Sequence, residues 1–384
     1  MMRKLSQEHS VMGSLRSHKI RYGMAVTLCA VATLGAASLL AAGGASGSVA
    51  TSGSPKAATP FKACLVADIG GIDDHGFNQY SWGGVVAAEH ADSAVTGKYL
   101  ETETSSDYAP DILAFVHAGC GIIVTVGFDQ ATATELSAKQ NPKQKYAIVD
   151  YTYSPNLSNV DGIHYDTDQA AFLGGYLAAA VSKSHVVGTC GGEDIPTVTI
   201  YMSGFVAGVR YYDKVNHATV KVLGWNPNKN TGLFTNSFTS QTAGELDAKS
   251  LMSSGADVIF SVACGPEGAA AAIKAAGPPH YMEWVDVDGC SAVPQYCSIF
   301  ITSVEKGLTQ SVESVVLEAA HGSFKGGVNY NGTLANSGVG IAPFHDFAGK
   351  IPSSVQAALK TIRAGIIAGR ISVNPLAYPV GPAS

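Results

Sequence analysis

Short apolar runs alternate with helix-like stretches along most of this chain, and that alternation limits the possible folds more than any other feature. The apolar runs predicted as strands include ACLVADI, GIIVTVG, KYAIVDY, HVVGTC, ADVIFSVA, YMEWVDVD and SIFITSV. Helix-like stretches such as QAAFLGGYLAAAVSK separate several of them. Nearly continuous apolar strands need both faces of their sheet covered. The pattern therefore predicts an α/β fold with parallel, helix-covered sheets.

The number of repeats indicates two such domains rather than one open sheet. A chain of 384 residues is long enough for two cores. We predict a signal or anchor segment and linker over residues 1–60, a first lobe over 61–165 and a second lobe over 166–301. Gly-Gly and acidic residues follow the first strand of each half, in ADIGGIDD and TCGGEDIP. Ligands bind at this carboxyl edge of open α/β sheets.

The N-terminus has the pattern of a targeting segment. Basic residues precede the apolar stretch GMAVTLCAVATLGAASLLAAGGA, and small residues follow it. The pattern predicts export, with cleavage after about Ala42 or Ala45, and an extracytoplasmic location in the periplasm or at the cell surface. The stretch is also roughly long enough to span a bilayer, so an uncleaved membrane anchor is the alternative.

Charge and cysteine usage exclude several classes of partner. The formal net charge is −6, and no basic cluster follows the first 21 residues, so nucleic acid is not expected as a partner. No Cys/His spacing suggests zinc, and neither a metal nor another cofactor is expected. Six cysteines lie beyond the apolar stretch, an even number that permits disulfides in an exported protein. We predict Cys290–Cys297 as the first pair and Cys64–Cys120 as a second.

The segment DIGGIDDHGFNQ, residues 68–79, combines sharp turning with negative charge where a strand hands over to a helix. It lacks the phosphate-binding patterns GxGxxG and GxxxxGK[ST], and its acids would repel a phosphate. Carboxylates suit hydroxyl and amine donors instead. Phe77 could lie over a flat ligand and Asn78 could read its edge. The alternative is structural: Asp73 or Asp74 caps the helix and Phe77 packs into the core.

The longer stretch DIGGIDDHGFNQYSWGG resembles the signature DxGGIDDxSFNQxxWxG of the basic membrane protein family, the purine nucleoside receptors of ABC importers. Further stretches are similar in the same order, from DYAPDILAFVHAGCGIIVTVGF to AGIIAGRISV, so the resemblance covers about residues 61–373. It implies a type I periplasmic-binding fold, with two doubly wound lobes, three crossovers and a ligand in the cleft. Residues 302–325 would then complete the first lobe and 326–384 the second.

The resemblance also implies a set of ligand-binding residues. Phe77 and Tyr201 would enclose a purine, Asn78 and Asp150 would bind its edge, and Asp68 would share the pocket. Asp286 and Lys306 would bind the ribose, and Gly265 would let the backbone approach the sugar. Purely structural roles are the alternatives for several of these residues. Tyr201 could be an aromatic residue on the lobe surface, and Asp150 could only cap a loop. Lys306 could be a solvated charge on a helix, and Gly265 could only serve a turn.

The chain departs from the family pattern at several points. Tyr201 stands in TIY where the family has a phenylalanine, and His75-Gly76 replace Lys-Ser. Family members are commonly lipoproteins, yet no lipobox cysteine is present. Asp129 adds an acid near the predicted cleft, with no role assigned to it.

The resemblance implies a monomeric solute-binding receptor that captures a purine nucleoside for an ABC-transporter permease. A sugar or autoinducer receptor of the same fold is a second interpretation, since sugar sites also use aromatic rings and carboxylates. A nucleoside-processing enzyme is a third, although no GxSxG motif or comparable triad is present. A membrane-held ligand sensor is a fourth.

Overall fold

The computed structural model describes residues 60–378, so the predicted signal or anchor segment lies outside the described residues. The first stretch contains β1 (Phe61–Val66), α1 (Phe77–Ala91), β2 (Val95–Leu100), α2 (Tyr108–His117), β3 (Ile122–Val126), α3 (Ala131–Gln140), β4 (Tyr146–Val149) and β5 (Val160–Tyr165). This order matches the strand–helix alternation of the sequence.

The second and third stretches continue the same pattern. The second contains α4 (Thr167–Val181), β6 (Val186–Gly191), α5 (Pro196–Asn216), β7 (Lys221–Leu223), β8 (Trp225–Asn226), β9 (Thr231–Gly232), α6 (Gln241–Ser253), β10 (Val258–Val262), α7 (Pro266–Ala276), β11 (Tyr281–Asp286), α8 (Gly289–Ala292) and β12 (Phe300–Lys306). The third contains α9 (Leu308–Ala320), β13 (Tyr330–Gly332), β14 (Val339–Ile341) and α10 (Ser353–Ile367). None of the helices between residues 60 and 378 is long and apolar enough to cross a membrane.

Two six-stranded sheets form the two lobes. The first has the order β13–β5–β4–β3–β1–β2 and the second the order β14–β12–β11–β10–β6–β7. Pairing is parallel throughout the first sheet, and in the second only the edge strand β14 runs antiparallel to its neighbour. The central strands β3 and β10 are buried along their whole length, as expected for sheets covered on both faces. The prediction of an α/β fold with parallel sheets is confirmed.

The chain passes between the lobes three times. It crosses after β5, returns after β12, and crosses again between β13 and β14. The sequence placed the return at about residue 302, but β12 pairs with β11 and therefore belongs to the second sheet. Likewise β13 pairs with β5 in the first sheet, although it falls within the range 326–384 assigned to the second lobe. An apolar strand such as β12 carries no local signal of which sheet it will join.

Glycines let helices approach closely in both lobes. A Cβ on Gly84 of α1 would lie 2.6 Å from the carbonyl oxygen of Thr309, so α9 packs directly on α1 in the first lobe. In the second lobe a Cβ on Gly208 of α5 would lie 2.0 Å from the carbonyl oxygen of Phe172 in α4. Any larger residue at these positions would force the helices apart.

Three disulfides staple the lobes. Cys290–Cys297 closes a short loop in the second lobe, as predicted. Cys64–Cys120 joins β1 to the start of β3 in the first lobe, which confirms the second predicted pair. The third joins Cys190 in β6 to Cys264, just after β10.

Candidate functional site

A cavity of about 310 Å³ lies between the carboxyl ends of the two sheets. This volume is at the lower end of the range for small-molecule sites. The first lobe lines it with Asp68, Ile69, Gly70, Asp73, Asp74, Gly76, Phe77, Asn78, Gly127, Phe128, Asp129 and Asp150. The second lobe lines it with Ile195, Thr197, Val198, Tyr201, Phe238, Thr239, Gln241, Val262, Ala263, Pro266, Glu267, Trp284, Val285, Asp286 and Lys306. Every predicted site residue except Gly265 therefore lies at this cavity.

A buried ammonium joins two carboxylates from different lobes. Lys306, the last residue of β12, places its Nζ 2.5 Å from Oδ2 of Asp150 and 3.3 Å from Oδ1 of Asp286. Burial alone disfavours the charged lysine, but the two carboxylates outweigh it and raise the pKa of Lys306 above its usual value. The interpretation of Lys306 as a solvated helix charge is wrong. We refer to Asp150, Lys306 and Asp286 as the ionic triad.

The two acids of the triad have strained backbones. Asp150 has a φ of 66° and Asp286 a φ of 67°, in the left-handed region that non-glycine residues rarely adopt. Ala263, another strand-end residue that lines the cavity, has a φ of 53°. Strain of this kind costs about 1–3 kcal/mol per residue and tends to occur where side chains are held for a function.

Aromatic rings surround the ammonium. The Nζ of Lys306 lies 4.8 Å from the ring centroid of Phe77, 5.2 Å from that of Tyr201 and 5.8 Å from that of Tyr165. Phe77 is only partly buried, since one part of it faces the cavity. Rings at these distances stabilise the positive charge through cation–π attraction.

Tyr201 is neither a surface aromatic nor simply a ring in the cleft wall. Its side chain is almost completely buried, its hydroxyl donates to Oδ1 of Asp286 at 2.9 Å, and its ring stands edge-on to Phe260. The hydroxyl that distinguishes it from the phenylalanine of the family therefore orients a triad carboxylate. The prediction of Tyr201 as a stacking residue stays untested.

Asp74 stabilises the loop between β1 and α1 through hydrogen bonds to the backbone. Asp74 accepts hydrogen bonds from the backbone N–H groups of Gly76, Asn78 and Gln79, which caps the start of α1. Gly70 and Gly71 have φ values of 118° and 73°, so the turn requires glycine at both positions. The structural interpretation of Asp74 is thus confirmed.

The side-chain amide of Asn78 uses most of its hydrogen-bonding capacity within the protein. Its Oδ1 accepts from the backbone N–H of Asp68 at 2.8 Å, and its Nδ2 donates to the carbonyl oxygen of Asp68 at 3.3 Å. One N–H of the amide remains available to a ligand. The first role of Asn78 is to fix the chain beyond β1.

Asp68 forms the acidic end of the cavity. It is buried, and its Oδ1 accepts from the hydroxyl of Tyr108 at 2.5 Å and from the N–H of Ile69 at 2.8 Å. Burial raises the pKa of Asp68 to about 6, against the effect of these hydrogen bonds, and the charges of Asp129 and Glu193 add to the rise. Asp129 itself lines the cavity, and burial raises its pKa.

Gly265 acts through the backbone of its own lobe. Its φ is 65°, and a Cβ there would lie 2.3 Å from the carbonyl oxygen of Ser240. Gly265 immediately precedes α7 and sets its approach to α6. Ala263 and Pro266, close to it in sequence, line the cavity, and the approach of the Gly265 backbone to a sugar stays a prediction.

Sequence reasoning missed four large side chains at the cavity. They are Phe128, Phe238, Glu267 and Trp284. Phe238 lies in a loop that has no periodic pattern. Its ring packs directly against Gly192, where a Cβ would lie only 2.3 Å from it. The Gly-Gly pair of TCGGEDIP was therefore the available signal, since close approach of a ring requires glycine there.

The comparison with known families decides what kind of protein carries this cavity. The family model described as "ABC transporter substrate-binding protein PnrA-like", Bmp, matches residues 61–375. The chain belongs to this family. Bmp proteins are solute-binding proteins rather than enzymes, which makes a small-molecule ligand and a membrane permease the expected partners.

Similar proteins come from several bacteria. The chain is 30% identical over 288 residues to basic membrane protein A of Borreliella burgdorferi, covering 73% of this chain and 78% of that protein. It is 25% identical over 360 residues to the ABC transporter nucleoside-binding protein BmpA of Lactococcus lactis, covering 90% and 97%. Both alignments extend over most of the two lobes.

Solved structures show the same fold. An ABC transporter solute-binding protein from Aeropyrum pernix superposes with a TM-score of 0.72 at 22% identity, covering 82% of this chain and 93% of that one. Membership of the Bmp family supports the predicted extracytoplasmic location. The alternative of an uncleaved anchor concerns residues outside 60–378 and receives no support.

Proposed function

We propose that this Bmp protein captures a purine nucleoside in the cleft and delivers it to the permease of an ABC importer. The observation that carries the proposal is the ionic triad beneath Phe77. One ammonium fixes two carboxylates of opposite lobes, so that Asp286 can accept hydrogen bonds from ribose hydroxyls and Asp150 can bind the edge of a flat base, while the ring of Phe77 covers its face. The similarity to a nucleoside-binding relative points the same way.

The charge of the cavity favours a nucleoside over a nucleotide. Seven carboxylates line it, at Asp68, Asp73, Asp74, Asp129, Asp150, Glu267 and Asp286. Among the described residues that line it, Lys306 is the one basic side chain, and both triad acids already share it. A phosphate would therefore meet uncompensated negative charge.

A thermal-shift panel tests the proposal against its alternatives. Adenosine, guanosine and inosine should raise the melting temperature, whereas pentoses and hexoses should not. A shift with sugars alone would favour the sugar-receptor interpretation, which the carboxylates of the triad and the aromatic rings around Lys306 also support. Incubation with inosine should release no hypoxanthine, and release of the base would indicate a nucleosidase.

Phe77→Ala separates the binding interpretation from a structural one. If Phe77 stacks on a base, the variant should lose about 1–3 kcal/mol of adenosine binding, as other base-stacking rings do. Because Phe77 is only partly buried, the melting temperature of the ligand-free variant should be only slightly lower than that of the wild type. Asp286→Ala should lose affinity to a similar extent. Loss of about 3–5 kcal/mol of stability in Phe77→Ala with unchanged affinity would show that the ring is a core residue.

A further inference from the structure

The loop after β1 in the first lobe contacts the second lobe at two points beside the cavity, one in a loop and one in the first turn of α7. A Cβ on Gly70 of the first lobe would lie 3.2 Å from Cγ2 of Thr239 in the second. The Nδ1 of His75 lies 2.9 Å from Oε1 of Glu267, two residues separated by 192 positions in sequence. Both contacts join the segment after β1 to the second lobe. They are distinct from the ionic triad, which joins the lobes through Lys306 at the end of β12.

The first lobe presents His75 in a fixed position. Its backbone φ is 53°, a strained conformation for histidine. The residue stands between Asp74, whose carboxylate holds three backbone N–H groups, and Gly76 at the start of α1. The loop that carries the ring is thus organised by contacts within its own lobe.

The second lobe fixes Glu267 in a comparable way. Glu267 lies in the first turn of α7, where the helix dipole favours a carboxylate. The left-handed turn at Gly265 sets the direction of the helix, and the N–H of Gly268 donates to Oε1 of Gln241 at 2.8 Å. Glu267 also lines the cavity, so its position relates directly to ligand access.

We propose that His75 and Glu267 form a gate that holds the lobes closed beside the cavity and slows ligand release. The backbone around each residue is fixed by contacts within its own lobe, so opening of the cleft has to break the contact between the two side chains. The proposed effect on release rests on the function proposed above, whereas the effect on closure does not.

A matched pair elsewhere in the chain provides the control. His321 and Asp92 make the same type of contact, Nε2 to Oδ2 at 3.1 Å, with side-chain exposures of 57% and 27%. His75 and Glu267 have exposures of 45% and 34%. His321 follows α9 and Asp92 follows α1, so this pair lies within the first lobe and does not bridge the cleft.

The first readout needs no ligand. Hydrogen exchange of residues 70–76 and 237–241 should be faster in His75→Ala and in Glu267→Ala than in the wild type, because the lobes open more often. The double variant should be no faster than either single variant, since the contact is lost once. His321→Ala should leave these segments unchanged. Equal exchange in His75→Ala and His321→Ala would overturn the gate.

The second readout is adenosine release, followed by stopped-flow fluorescence. His75→Ala and Glu267→Ala should release adenosine about two- to fivefold faster, as expected for an exposed pair. The swapped double variant His75→Glu with Glu267→His should restore the slow rate. Unchanged release in both single variants would refute the proposal. If adenosine fails to bind the wild type, the proposed ligand is wrong, and hydrogen exchange alone decides the gate.

Discussion

The two lobes have the same strand order but differ at one strand end. In the second lobe this end carries the buried lysine, Lys306, and in the first lobe it does not. The two sheets have equivalent strand orders. In these orders β4 occupies the same position as β11, and β5 the same position as β12. β4 is followed by Asp150 and β11 ends in Asp286, and both acids have a left-handed φ. β5 ends in Tyr165, whereas β12 ends in Lys306. Duplicated architecture thus gives two matched carboxylates, and one unmatched lysine serves both.

The disulfides of the lobes differ in a similar way. In each six-stranded sheet a disulfide joins the first strand in chain order to the third, through Cys64–Cys120 and Cys190–Cys264. Cys120 lies before β3, at the amino end of that strand, but Cys264 lies after β10, between cavity-lining Ala263 and Pro266. The second lobe therefore has a covalent link next to the ligand cavity, where the first lobe has none among residues 60–378.

Lys306→Met should have the largest effect, because it leaves the buried carboxylates of Asp150 and Asp286 without a compensating positive charge. We expect a loss of about 3–5 kcal/mol of stability, measured by denaturant unfolding, together with loss of adenosine binding. The control is Lys139→Met, whose lysine is 61% exposed and pairs with Glu135 on α3. That exposed pair should contribute less than about 1 kcal/mol. Equal stability of the two variants would show that the lobes do not depend on the shared cation.

Removing either long-range disulfide should cost similar stability but have different effects on binding. The bridged cysteines are 56 and 74 positions apart, so chain entropy alone predicts about 4 kcal/mol for each. Only Cys190→Ser with Cys264→Ser should also weaken adenosine binding at a temperature where the variant remains folded. Equal affinity losses in this variant and in Cys64→Ser with Cys120→Ser would contradict the contrast between the lobes.

Glu283 marks a smaller difference between the sheets. It lies three residues before Asp286, at the position that Ala147 occupies before Asp150. It is completely buried, neither carboxyl oxygen has a hydrogen-bond partner among the described residues, and burial raises its pKa from 4.5 to about 8. The folded protein therefore binds more protons than the unfolded chain between these pH values, and the free energy of unfolding falls as pH rises.

Glu283→Gln should remove this pH dependence. Relative to the variant, the wild type should lose about 3 kcal/mol of stability between pH 4.5 and pH 7. Urea unfolding of both proteins at several pH values measures the difference. Parallel profiles for wild type and Glu283→Gln would show that the buried carboxyl does not titrate as described.

Strand ends were the part of the site that the sequence predicted best. Apolar runs locate strands, and an acid at the end of a run, as at Asp150 and Asp286, falls at the edge where ligands bind. The ligand-binding roles of Asp150, Asp286 and Lys306 came from the resemblance, whereas Phe77 was already a candidate from the segment DIGGIDDHGFNQ. All four residues lie at the cavity. Contacts between distant segments could not be read in this way. Three features depend on tertiary packing. They are the hydrogen bonds of Asn78 to the backbone of Asp68, the position of Phe238 at the cavity, and the sheet that β12 joins.

Calorimetry of ligand-free wild-type protein tests the central claim most directly, with adenosine, adenosine monophosphate and ribose titrated separately. We expect a dissociation constant in the micromolar range or below for adenosine, which corresponds to about −8 kcal/mol or better. Adenosine monophosphate and ribose should bind much more weakly, the first because of the acidic cavity and the second because it lacks the base. No heat with any purine nucleoside, or equal affinity for adenosine and its monophosphate, would contradict it.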